Sequence, residues 1–135
     1  MSSTDLQHRK PTIYVTEADY DRLSNLASSH NSHGATLLKR ELARATVVKD
    51  GARPRAFVRL YAMVEFSDLM TGRTRRVQIV PPEEADIDQN LLSVLSPVGA
   101  ALIGLVPGES IGLSTEDGRP HVLSVATVDL SRASA

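Results

Sequence analysis

A short apolar segment punctuated by glycine and proline, residues 96–111, constrains the fold of this chain more than any other feature. Pro97 suits the first position of a helix, because the N–H that proline lacks would have no partner inside the helix there. Ser96 precedes it and can cap the free N–H groups of the first turn. Apolar residues then recur at helical spacing, at Val98, Ala101, Leu102 and Leu105. The segment therefore predicts a short, buried helix that ends at Gly104 or Gly108 and is followed by a turn and a strand.

Residues 16–48 have the period of two helices joined by a polar connection. Thr16 and Asp19 approximate the capping box that begins a helix. One helix presents Tyr20, Leu23 and Ala27 on a single face, and the second presents Leu38, Leu42 and Ala45. We expect Lys39, Arg40 and Arg44 to face water. Because short connections favour antiparallel neighbours, this region predicts a helical hairpin with arms about 20 Å long.

After residue 52 the period of the apolar residues changes from 3.6 to 2, which indicates strands. The alternation over residues 58–66 predicts one strand, and residues 75–80 return from a turn around Gly72 with Val77 and Ile79 inward. Residues 110–115 and 121–130 predict two further strands. In the last of these, Leu123, Val125, Thr127 and Asp129 are expected to share a face. The chain is therefore predicted to have an α+β fold, in which a short N-terminal helical hairpin precedes an antiparallel sheet around one short helix.

The run Ser-Pro-Val-Gly-Ala-Ala-Leu-Ile-Gly-Leu at residues 96–105, followed by Pro-Gly-Glu-Ser-Ile, resembles a known domain. It is similar to the C-terminal domain shared by the Gre transcript-cleavage factors and the regulators of nucleoside diphosphate kinase (Rnk). Ala100 stands where Gre factors usually carry a basic residue, so the resemblance to Rnk is closer. The resemblance implies an FKBP-like topology for the sheet. It divides the chain into a flexible tail (1–12), a short helical hairpin or truncated coiled coil (13–51), a Gre/Rnk-type FKBP-like domain (52–131) and a tail (132–135).

Composition argues against several classes of protein. Fifteen basic and sixteen acidic residues leave a formal charge of −1, which is unlike a general nucleic-acid binder. The chain has no cysteine, which excludes disulfides, thiolate chemistry and cysteine-based zinc sites. No apolar run approaches the roughly 20 residues that cross a bilayer, and the N-terminal residues lack the apolar core of a secretory signal. We therefore expect a cytoplasmic protein without a membrane partner.

We predict no enzyme, no catalytic residues, no metal site and no cofactor. His30, His33 and His121 are interpreted as polar surface residues, and the acidic run over residues 83–88 as a solvated loop. Arginines crowd two neighbouring strands, at positions 53, 55 and 59 and at positions 73, 75 and 76. Such a group is either a basic patch or a device that protects strand edges.

The resemblance implies RNA polymerase as the partner, contacted near its secondary channel. The predicted polymerase-binding residues are Ser96, Pro97, Val98, Gly99 and Ala100. The tip of the hairpin is predicted at His30, Asn31, Ser32 and His33. In Gre factors, carboxylates at the corresponding tip support transcript cleavage, whereas residues 28–34 here contain neither Asp nor Glu.

We therefore expect competition with Gre factors without stimulation of transcript cleavage. The alternatives are an FKBP-like peptidyl-prolyl isomerase and a module that binds a small ligand or forms oligomers. The oligomeric state is left open by the sequence.

Overall fold

A computed structural model describes residues 11–49, 56–115 and 117–131 of the chain. The predicted boundary at residues 51 and 52 lies outside the described residues, as do residues 1–10 and 132–135 of the predicted tails. The helices are α1 (Glu17–Ser28), α2 (His33–Arg44) and α3 (Pro97–Leu102). The strands are β1 (Tyr14–Thr16), β2 (Thr46–Val48), β3 (Met63–Asp68), β4 (Arg73–Val80), β5 (Leu91–Ser93), β6 (Ser110–Ser114) and β7 (Pro120–Asp129). This arrangement confirms the predicted α+β fold.

Both helices of the hairpin begin at a hydroxyl cap. The side-chain oxygen of Thr16 accepts a hydrogen bond of 3.2 Å from the backbone N–H of Asp19, which confirms the predicted cap. Ser32 accepts one of 3.1 Å from the backbone N–H of Ala35. Each hydroxyl satisfies an N–H group that has no partner inside its helix. The predicted hairpin is confirmed over residues 17–44.

A parallel pair of strands closes the base of the hairpin. β1 enters α1 and β2 leaves α2, and Tyr14 pairs with Thr46. The prediction of helix to residue 48 is therefore wrong for the last three residues. Thr46, Val47 and Val48 are β-branched and prefer extended backbone, and β1 supplies the partner that this backbone needs.

The main sheet has five strands in the order β5-β4-β3-β7-β6. Its pairs are antiparallel, as predicted, except that β5 runs parallel to β4. Two short 3₁₀ turns, Pro82–Glu84 and Ile87–Gln89, carry the chain back to the start of β5. Asn90 ends the second turn with φ of 59°, a left-handed conformation that asparagine tolerates.

Two local irregularities shift the predicted strands. The first strand begins at Met63 and not at Val58, because Tyr61 has φ of 71° and interrupts extended backbone. In β7, a bulge opposite Glu65 and Phe66 adds one residue. Leu123 and Val125 face the core before the bulge, and the core contacts after it come from Val128 and Leu130. The prediction that Thr127 and Asp129 share a face with Leu123 and Val125 is therefore wrong.

The hairpin and the sheet share one hydrophobic core. Ile13, Leu23 and Leu38 from the hairpin region belong to the same buried cluster as Leu102 and Leu123. Glu41 and Arg44 form an ion pair of 2.6 Å at the edge of this core, and Arg44 also donates to the carbonyl oxygen of Pro11. The prediction that Arg44 faces water is wrong, because its guanidinium compensates the buried Glu41 carboxylate.

Two glycines let backbones approach the central segment more closely than any side chain allows. A Cβ atom at Gly34 would lie 1.6 Å from the carbonyl oxygen of Leu95. A Cβ atom at Gly104, where φ is +85°, would lie 2.6 Å from the Cβ atom of Ile13. The start of α2 and the strand β1 therefore pack directly on the backbone around α3.

Gly34→Ala should lower the free energy of unfolding by about 2 kcal/mol or more, because backbone atoms of Leu95 cannot yield as a side chain does. Gly112→Ala is the matched control, since its Cβ would meet only the carbonyl oxygen of His121 at 3.8 Å. Urea denaturation of both variants measures the difference. Equal stabilities for the two variants would contradict the contact between α2 and Leu95.

Candidate functional site

The predicted polymerase-binding segment begins at a well-satisfied helix cap. The Ser96 hydroxyl accepts from the N–H of Gly99 at 3.0 Å and donates to the carbonyl oxygen of Ser93 at 2.7 Å. Pro97 occupies the first turn of α3, as predicted. Serine and proline together define where this helix starts, which explains why its position is readable from the sequence.

The five predicted contact residues divide into two groups by burial. Ser96, Pro97 and Val98 are half-buried and accessible from outside. Gly99 and Ala100 are buried, and Ala100 is 0% exposed. Their side of the helix faces the core, and the contact of Gly99 and Ala100 with a partner stays a prediction. Ser96, Pro97 and Val98 are the residues of this segment that have surface accessible to a partner.

The predicted hairpin tip is partly exposed and partly anchored. His30, Asn31 and Ser32 are exposed, and His33 is half-buried as the first residue of α2. Nδ1 of His30 lies 2.9 Å from the carbonyl oxygen of Leu26, and Nε2 of His33 lies 2.7 Å from that of Ser114. A ring nitrogen that donates to a carbonyl has no lone pair for a metal, so each histidine uses one potential ligand atom in the fold.

The hairpin tip contains no carboxylate. Among the described residues, no group of three or more histidine, aspartate or glutamate side chains is arranged to hold a metal ion. The acidic run at residues 83–88 is exposed over its described length. Within it, the Glu84 carboxylate accepts a 2.7 Å hydrogen bond from the hydroxyl of Tyr61. That hydrogen bond, together with burial, raises the pKa of Tyr61 above 10.0.

The hairpin tip and the helix start lie at the same end of the molecule. Gly34 follows the tip and packs on the carbonyl group of Leu95, which immediately precedes Ser96. Through His33 and Ser114 the tip also touches the end of β6. We call the half-buried residues Ser96 to Val98 and the exposed residues His30 to Ser32 together the tip face.

Next to the tip face is a groove that the sequence analysis missed. It has a volume of about 270 Å³, and we call it the arginine groove; it is lined by Phe66, Asp68, Thr71, Arg73, Arg75, Val98, His121 and Leu123. The alternation along β4 could have predicted this groove, because residues two apart in a strand share a face. Arg73 and Arg75 therefore lie on the same face as the inward Val77 and Ile79.

The predicted group of six arginines is not one patch. Arg76 has the opposite parity to Arg75, pairs in register with Glu65 and lines a separate cavity with Met63 and Gln78. Arg59 forms an ion pair of 3.5 Å with Asp19 of α1. Arg53 and Arg55 lie outside the described residues. Of the four arginines in this group that the structure describes, Arg73 and Arg75 line the arginine groove.

An aspartate and a histidine form a pair inside the arginine groove. Nδ1 of His121 lies 2.8 Å from a carboxylate oxygen of Asp68, and the backbone N–H of Met70 donates to the same carboxylate at 2.9 Å. Burial acts to raise the pKa of Asp68, but the hydrogen bonds from His121 and Met70 outweigh it and hold that pKa below 3.8. The folded protein therefore favours the ionised carboxylate.

Comparison with known proteins identifies the family. The profile described as "Rnk N-terminus" matches residues 11–48, and the profile described as "Transcription elongation factor, GreA/GreB, C-term" matches residues 53–129. The chain is 34% identical over 105 residues to the regulator of nucleoside diphosphate kinase of Escherichia coli K12. The match spans 76% of this chain and 77% of that protein. The chain belongs to the Rnk family.

Transcription elongation factors are also similar to this member of the Rnk family. GreA of Nitratidesulfovibrio vulgaris is 42% identical over 67 residues, a match that spans 48% of this chain and 42% of that protein. The solved structure of a GreA/GreB elongation factor from Nitrosomonas europaea superposes with a TM-score of 0.69 at 30% identity. It covers 89% of this chain and 99% of the other. The resemblance at residues 96–105 is confirmed at the level of the whole domain.

The helices in the described part of this Rnk-family chain were compared with the length and apolar character that a membrane span needs. None of these helices is both long and apolar enough to span a bilayer.

Asp68→Asn should destabilise the protein at pH 7, and the difference from wild type should shrink as the pH falls below about 3.8. Because the folded-state pKa is lowered, the ionised carboxylate contributes stability above its ordinary pKa and loses it as the pH falls through the folded value. Urea denaturation at pH 7 and pH 3 measures both differences.

Asp21→Asn, on the exposed face of α1, is the control and should change stability by less than about 0.5 kcal/mol at either pH. If the destabilisation caused by Asp68→Asn is as large at pH 3 as at pH 7, or larger, the proposed stabilisation by the ionised Asp68 carboxylate is contradicted.

Proposed function

We propose that this Rnk-family protein is a transcription regulator that binds RNA polymerase near its secondary channel through the tip face. It competes with Gre factors for that place and does not stimulate transcript cleavage. It acts by occupancy and not as an enzyme. The observation that carries the proposal is the juxtaposition of the half-buried start of α3 with an exposed hairpin tip that has no carboxylate.

The start of α3 is suited to recognition by another protein. The cap at Ser96 and the fixed φ of Pro97 hold this turn in one conformation, so little conformational entropy is lost when a partner binds. Val98 adds a half-buried apolar side chain at the same place. The relatives that share this segment include transcription elongation factors, which supports a polymerase partner.

The hairpin tip is suited to occupancy and not to metal-dependent chemistry. Stimulation of transcript cleavage by Gre factors depends on carboxylates that help to hold a metal ion and activate water. Here His30, Asn31 and Ser32 supply imidazole, amide and hydroxyl groups, and the arms are only 12 residues long. Such a tip can fill space in front of a channel without supplying the ligands of a second cation.

A peptidyl-prolyl isomerase is the weaker alternative. Pockets that bind proline in FKBP-like enzymes are rich in aromatic side chains. Phe66 is the single aromatic residue that lines the arginine groove. The geometry therefore favours the polymerase-binding proposal.

Pro97→Ala should weaken binding to core RNA polymerase by about five- to tenfold, the cost of losing an anchor at an interface. It should lower the free energy of unfolding by less than about 1 kcal/mol, because alanine also fits the first turn of a helix. Pro107→Ala, at an exposed turn beyond the tip face, is the matched control and should bind as wild type does. Equal binding by Pro97→Ala and wild type would rule out this contact.

A stalled elongation complex tests the second half of the proposal. Addition of the protein should produce no cleaved transcript, and prior addition should slow cleavage by a Gre factor in proportion to its concentration. Gel electrophoresis of labelled transcript measures both. Cleavage in the absence of a Gre factor, or an unchanged Gre-dependent rate at saturating protein, would contradict the proposed mode of action.

A further inference from the structure

We propose that the arginine groove binds a small anionic ligand, a phosphate or carboxylate attached to an apolar ring. The site is formed by residues of β3, β4 and β7, beside Val98 at the start of α3. Its ligand needs no polymerase, so this proposal stands or falls independently of the proposed function.

The groove holds the guanidinium groups of Arg73 and Arg75, which have no ionic partner in the described part of the chain. Arg73 lies across from Asp68 in the register of β3 and β4, but the Asp68 carboxylate is bonded to His121. Among the residues that the structure describes, no carboxylate lies within ion-pair distance of Arg73 or Arg75. Two arginines on one face of a strand can bind the oxygens of a phosphate or carboxylate with paired hydrogen bonds.

The floor of the groove is apolar. Phe66 and Leu123 lie beneath the groove and are buried, with 2% and 1% of their surface exposed, and the half-buried Val98 forms one wall. The guanidinium carbon of Arg75 lies 6.0 Å from the centre of the Phe66 ring, so that positive charge and aromatic surface are adjacent. A ligand that places a ring against the Val98 wall and an anion between the arginines contacts both kinds of surface.

Asp68, the one carboxylate among the described residues that line the groove, does not cancel its positive charge. Asp68 contributes one negative charge, and Arg73 and Arg75 contribute two positive charges. The carboxylate oxygens of Asp68 also take part in hydrogen bonds with His121 and with the backbone N–H of Met70, which satisfy part of their hydrogen-bonding capacity. The opposite face of β4 differs, since Arg76 there lies across from Glu65.

Protection of the strand edge is the competing explanation for inward-pointing arginines. That role requires only positive charge and solvation, so it predicts no preference for a ring attached to an anion. Selectivity for an amphipathic anion distinguishes a binding site from edge protection.

The experiment is an NMR titration of the ¹⁵N-labelled full chain at constant ionic strength with phenyl phosphate, benzoate, inorganic phosphate and phenol. Shifts should concentrate in residues 66–68, 73–75 and 121–123. Phenyl phosphate or benzoate should bind at least about fivefold more tightly than inorganic phosphate or phenol, because each of the latter engages only half of the groove. Whichever of phenyl phosphate and benzoate binds more tightly shows whether the groove prefers a phosphate or a carboxylate.

Arg75→Ala and Arg73→Ala should each weaken the tighter ligand by about tenfold, the cost of a charged hydrogen-bond partner. Arg76→Ala is the matched control on the other face of the same strand and should change affinity less than twofold. Arg73 is exposed, so its replacement tests the site even where the loss of Arg75 disturbs Phe66. Equal binding of all anions, shifts scattered over the surface, or equal losses for Arg75→Ala and Arg76→Ala would overturn the proposal.

Discussion

The fold depends on backbone-to-backbone contact around the segment that contains α3. The carbonyl of Leu95 lies against Gly34 at the start of α2, and Gly104 lies against Ile13 and Tyr14 at the start of the hairpin region. Neither place has room for a side chain, so the hairpin and the sheet can pack only where glycine occurs on one side. The buried cluster that contains Leu23, Leu38, Leu102 and Leu123 then seals these contacts.

This contact decides what the hairpin can do. A hairpin joined to the sheet at its base alone would present a movable arm, whereas here the tip end also packs on Leu95 and reaches Ser114 through His33. The exposed tip and the start of α3 therefore keep a fixed relation, and a partner meets them as one surface. For a regulator of the Rnk family, this rigidity supports action by shape and occupancy, in which a preformed surface loses little entropy on binding.

Much of this architecture was predictable because it depends on local chemistry. The hydroxyl groups of Thr16 and Ser96 indicate where helices begin, and the alternation along β4 predicts Val77 and Ile79 as core residues. The missed features depend on partners that are distant in sequence. The β-branched residues after α2 needed β1 as a partner, and the bulge in β7 needed the register of β3. The burial of Ala100 needed the packing of α3 against α2 and β6. The arginine groove combines β3, β4, β7 and α3, and no single segment contains it.

The fixed position of the hairpin tip relative to the sheet is the central physical claim, and it can be measured directly because the chain contains no cysteine. Spin labels attached to the variant Asn31→Cys, Gly118→Cys report the distance between the tip and the turn before β7 by pulsed electron paramagnetic resonance. The account predicts one narrow distance distribution that stays the same when core RNA polymerase is added. A broad distribution in the free protein, or a separate longer distance in the complex, would contradict it.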